Sequence, residues 1–120
     1  MAAAALFIGF GQPARAREPQ ALDLLNEVLG LCSELRATGH IESFEPVLLE
    51  PHGGDLNGFL LVRGSPEQLA ALRARDDFRR AVARAGLVLD GFGVVDAHIG
   101  EGLDARLSVY EQQVNEQLSA

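Results

Sequence analysis

Leu6-Phe7-Ile8-Gly9-Phe10 is apolar at consecutive positions, so both of its alternating faces avoid water, as in a central strand covered on two sides. Gly11-Gln12-Pro13 ends the run, and Pro19 suits the first position of a helix. Leu22, Leu25, Leu29, Cys32 and Leu35 then recur at three- and four-residue spacing, with Asp23, Asn26, Glu27 and Glu34 off that stripe. The spacing predicts a helix over about Pro19–Thr38, closed by Gly39 in the position that tolerates positive φ. Ile41–Glu50 reads as a second strand, in which Glu42, Glu45, Glu50 and Pro46 are the charge and the missing donor that protect a sheet edge. The turn residues from Pro51 to Asp55 and Asn57-Gly58 lead into a third strand, Gly58–Val62, and the stretch Ile41–Val62 reads as a hairpin.

Ser65-Pro66-Glu67-Gln68 has the composition of a capping box, with Ser as N-cap and Gln three residues on. A helical stretch follows over about Pro66–Ala85, and Asp76-Asp77 marks a point where the helix can restart. Leu87–Gly91 reads as a connector, Phe92–Ile99 as a fourth strand, and Leu103, Leu107, Tyr110, Val114 and Leu118 as one stripe of a final helix. The chain thus passes twice through strand–helix–strand. The order β-α-β-β-α-β plus a C-terminal helix is the ferredoxin-like arrangement, an α+β sandwich with a four-stranded antiparallel sheet. Right-handed crossovers put both repeat helices on one face of that sheet. Yet Phe7, Leu60, Val62, Val95 and Ile99 alternate along the strands with Phe10, Phe59, Leu61, Phe92 and Val94, so large apolar residues occupy both faces. A second copy of the chain is the simplest cover for the face without helices, which predicts a homodimer joined through the sheet.

Composition narrows the function. At 120 residues the chain fits a single domain, 1–120, able to bury roughly two-thirds of its unfolded surface. The net charge of −7 opposes binding to nucleic acid or to an anionic membrane, because phosphate would repel it. All ten basic residues are Arg, which excludes a Schiff-base lysine, a pyridoxal-phosphate anchor and a P-loop lysine. Cys32 is the single cysteine, so no internal disulfide or multi-thiolate zinc site can form, and its apolar neighbours mark it as a buried structural thiol. Met1–Phe10 lacks a basic start and is too short to span a bilayer, so a cytoplasmic protein is expected.

The strand order, the length and the two-sided sheet over Leu6 to about Ile99 resemble the dimeric α+β barrel superfamily, which includes antibiotic-biosynthesis-type monooxygenases and haem-degrading proteins. That resemblance implies a small ligand between the sheet and the helices of each subunit. The chain has no Trp, a common element of the haem-degrading members' site. Leu6–Gly9 and Asn57–Val62 also look like the two ribonucleoprotein motifs of an RNA-recognition domain, but Asn57 and Leu61 stand where a basic residue and a second ring are required.

Few residues offer chemistry. Asp96 and His98 lie two apart on the fourth strand and so share a face with Phe92 and Val94, where they can act as base and orienter. Arg63, at the end of the third strand, can complement Asp96 or a ligand carboxylate. His52, beside Gly53-Gly54-Asp55, can shuttle a proton near neutral pH, while the same residues also make an ordinary glycine-rich turn. Phe10 and Phe59 are candidate apolar contacts for a ligand, and Arg17, with Arg15 before the first helix, is a candidate anion contact. His40, His52 and His98 have no zinc-like spacing, so neither a metal nor another cofactor is expected. The expected protein is a homodimer holding a small, largely apolar ligand. The alternatives are a cofactor-independent monooxygenase- or isomerase-like enzyme and a structural or regulatory interaction module.

Overall fold

The two strand–helix–strand passes combine into one antiparallel sheet with the helices of the two passes on a single face. The computed structural model describes residues 4–118, so residues 1–3 of the apolar run Met1–Phe10 lie outside the described residues. The elements in chain order are β1 (Ala4–Phe10), α1 (Glu18–Ala37), β2 (Ser43–Leu48), β3 (Gly58–Gly64), α2 (Pro66–Ala74), α3 (Asp76–Val88), β4 (Gly93–His98) and α4 (Gly100–Leu118). The sheet order is β2-β3-β1-β4, every neighbouring pair is antiparallel, and the fold is ferredoxin-like. The strand rich in Glu and Pro, β2, is indeed an edge strand.

Local chemistry explains most boundaries. Gly39 follows α1 with φ of 78°, a conformation that costs glycine nothing. The capping box at α2 is complete: the Gln68 backbone N–H donates to Ser65 Oγ at 3.1 Å, and the Ser65 N–H donates to Gln68 Oε1 at 2.8 Å. The helical stretch after Pro66 is two helices rather than one. Arg75 adopts an extended conformation (ψ 137°) between them, and its guanidinium binds the Asp77 carboxylate at 3.0 Å. Asp77 Oδ1 also accepts the Phe78 N–H at 2.8 Å within the first turn of α3, and the helix restarts at the expected place without a side-chain cap. Leu87 and Val88, expected in a connector, form the last turn of α3. The second strand begins at Ser43, because Ile41 is drawn into the core instead of the ladder.

Register decides the two faces. Leu6 pairs with Val62 and Asp96, Ile8 with Leu60 and Val94, and Phe7 with Leu61 and Val95. Leu6, Ile8, Leu60 and Val62 therefore share the inner face, where they pack on Cys32 and Leu35 of α1, Leu69 and Leu72 of α2 and Phe78 of α3. Phe7 shares the outer face with Phe59, Leu61 and Val95, a grouping that strand-by-strand alternation does not reveal. The Phe7 and Phe59 rings lie 5.0 Å apart in a tilted stack, and neither core cluster includes an outer-face residue. The apolar outer face is thus real, and Val95 on it is 54% exposed.

Candidate functional site

Between the inner sheet face and the pair α1 and α3 the layers part to leave a cavity of about 230 Å³. Ile8, Phe10 and Leu60 form its floor, Leu25, Val28 and Cys32 one wall, and Phe78, Val82 and Ala85 the other. Ala81 and Ala85 bring α3 against Leu24 of α1 and leave the volume that longer side chains would fill. Outside the cavity, Arg84 of α3 clasps Glu27 of α1 through two hydrogen bonds of 2.7 and 2.9 Å. That bond holds the Glu27 carboxyl below its ordinary range and ties the two walls together.

One end of the cavity is closed by the chain between β1 and α1. The Gly11 N–H donates to the Asp90 carbonyl at 2.7 Å, the Ala14 N–H to Val88 at 2.7 Å, and the Asp90 N–H to Gln12 at 2.8 Å. A side chain at Gly11 would begin 2.7 Å from the Asp90 carbonyl oxygen, so only glycine permits this approach. Leu22 and Leu48 stand exposed at the mouth, beside Glu18 and Asn57, whose Oδ1 accepts a hydrogen bond from Gln12 Nε2 at 3.2 Å. Cys32 is the one thiol in the wall, and burial pushes it up to about 11, so it stays protonated near neutral pH. The cavity is apolar nearly throughout and suits binding by desolvation. An engineered cavity of about 150 Å³ takes up benzene, so this one has room for a somewhat larger apolar molecule.

Of the residues singled out in the sequence, Phe10 lines this cavity. Asp96 and His98 do share a face, yet the cavity lining includes neither. The Asp96 side chain is 74% exposed and faces Arg73 at 3.5 Å, while His98 Nε2 accepts the Arg106 Nε–H at 3.1 Å. Arg63 points to the outer face and donates to Glu45 at 2.9 Å, so register separates it from Asp96. Phe59 is on the outer face with Phe7. His52 closes its own turn: Nδ1 accepts the Gly54 N–H at 3.3 Å, and Nε2 lies 2.9 Å from the Leu56 carbonyl, which fixes Nε2 as the protonated nitrogen. Arg17 occupies the N-cap position of α1, exposed and without a side-chain cap. The structure therefore does not gather these residues into one constellation. The walls supplied by Leu25, Val28, Phe78 and Val82 look in the sequence like any buried helix stripe. Among the described residues no group of three potential ligands is placed to hold a metal ion, and no helix is long and apolar enough to cross a membrane.

No protein-family model and no curated protein matches the chain. Solved structures do. A dimeric protein of unknown function and ferredoxin-like fold from Bacteroides fragilis is similar at a TM-score of 0.60 and 14% identity, over 80% of this chain and 95% of that one. A hypothetical protein from Arabidopsis thaliana is similar at 0.61 and 14% identity, over 82% of this chain and 88% of that one. A dimeric ferredoxin-like protein of unknown function from Jannaschia sp. CCS1 is similar at 0.58 and 18% identity, over 80% of this chain and 99% of that one. At such identities the likeness establishes a shared fold: this chain has the ferredoxin-like fold, and its structural neighbours include dimeric proteins of unknown function.

Proposed function

We propose that the protein is a homodimer of ferredoxin-like subunits, each of which holds a small, largely apolar molecule between its sheet and its helices. The observation that carries the ligand is the apolar cavity of about 230 Å³ walled by α1 and α3. Its interior offers aromatic and aliphatic surface and one neutral thiol, so recognition rests on shape and desolvation. The dimer is supported by the apolar outer face bearing Phe7, Phe59, Leu61 and Val95, and by the dimeric state given for the Bacteroides and Jannaschia proteins. A cytoplasmic setting belongs to this reading, supported by a lone thiol that cannot form an internal disulfide.

N-phenyl-1-naphthylamine, an apolar dye that brightens on leaving water, tests the cavity. The expected result is saturable binding at one dye per chain, lost in a Leu25→Trp variant whose indole fills the space. Asp96→Asn leaves dye binding unchanged, since Asp96 lies outside the cavity lining. Dye binding that does not saturate, or that survives Leu25→Trp in a folded protein, contradicts the reading.

A further inference from the structure

The last helix, α4, spans 19 residues and buries none of them, and it touches its own chain chiefly at β4. The molecule measures 56 × 38 × 23 Å with a radius of gyration of 16.7 Å, whereas a compact chain of this length has about 14 Å. α4 accounts for the excess by projecting from the body. It is not a polar strut. Leu103, Leu107, Tyr110, Val114 and Leu118 form one stripe, and Leu107, Tyr110 and Leu118 are 55%, 70% and 80% exposed. An apolar stripe left exposed along a projecting helix calls for a partner surface.

Charge identifies that surface. On α4, Asp104 and Glu111 border the same side of the stripe two turns apart, and with Glu101 and Glu116 against Arg106 the helix is net acidic. Two copies of α4 laid together would therefore set like charges side by side. A shallow groove on the body has the opposite character. Phe78, Val82, Ala83 and Val94 form its apolar floor between α3 and β4, and Arg73 and Arg79 stand at its rim. Arg73 faces Asp96, but the Arg79 guanidinium has no partner among the described residues.

We propose that α4 is a dimerisation arm: its apolar stripe seats in the α3–β4 groove of a second copy of this chain, with Asp104 and Glu111 against the partner's Arg79 and Arg73. The inference rests on the homodimer reading and adds to it. The sheet face alone does not use α4, whereas the arm supplies a second contact whose charges fix how the copies are set. The arm is exposed, so changing it leaves the subunit core intact.

Sedimentation equilibrium of full-length variants, with helicity checked by circular dichroism, tests the arm separately from the sheet. Leu107→Glu with Tyr110→Glu is expected to weaken dimerisation at least tenfold. Arg79→Glu is expected to weaken it several-fold, and adding Asp104→Arg to Arg79→Glu is expected to restore it. If the Leu107/Tyr110 variant dimerises like the unaltered protein while Leu61→Glu on the sheet face dissociates it, the sheet dimer stands and the arm is overturned. If the arm variants weaken the dimer but the charge exchange restores nothing, the groove assignment is overturned. An unaltered protein that is monomeric at micromolar concentration removes both readings.

Discussion

Cys32 shows what a single buried group contributes and how to measure it. Burial raises its titration from 9.0 to about 11, so the folded state keeps the thiol neutral where the unfolded chain ionises it. The sign follows directly. The contribution is fully present below pH 9.0 and is lost as pH rises toward about 11. Relative to a Cys32→Ala variant, the urea-unfolding stability of the unaltered protein is expected to fall by roughly 2–3 kcal/mol across that window, and parallel pH profiles for the two proteins would contradict the burial. The burial itself was legible in the sequence, because Cys32 falls on the stripe of Leu25, Leu29 and Leu35. The surroundings of Asp96 and His98 were not. Strand parity puts the two on one face, but Arg73 and Arg106, their actual partners, come from α2 and α4, whose placement no local spacing specifies.

At the scale of elements, the chain's punctuation carries most of the information. The Ser65–Gln68 capping box is a short-range device, so both its presence in the sequence and its two hydrogen bonds in the fold follow from the same four residues. Ser65→Ala is expected to cost about 1 kcal/mol in chemical denaturation, with the helix otherwise retained; no measurable cost would mean that the cap does not hold α2. Asp76-Asp77 marks the restart of α3 as an acidic first turn, whereas nothing local separates Leu87 and Val88, the last turn of α3, from the connector that follows. Register was the larger gap. A slip of one residue exchanges the faces of a strand, and nothing within β1 or β3 says that Phe7 lies opposite Leu61 rather than Leu60. That choice belongs to the whole sheet, and it sends Arg63 and Phe59 to the outer face while Phe10 stays with the cavity.

The whole molecule has apolar regions that its own chain leaves unfilled or uncovered: the cavity between layers, the outer face of the sheet and the stripe of the projecting α4. The two-sided apolar strands made the uncovered face legible in the sequence. The cavity was an expectation drawn from family resemblance, since a cavity is a mismatch of packed volumes and leaves no mark on the order of residues. The proposed homodimer and its ligand account for these regions together. They also leave the exposed Asp96 and His98 outside the binding event. The most direct test is native mass spectrometry of the purified, unaltered protein, which weighs the assembly and anything it retains in one measurement. The account predicts a species of two 12.8 kDa chains carrying up to two small apolar molecules that are released on denaturation. A single 12.8 kDa chain at micromolar concentration, with no added mass, would contradict it.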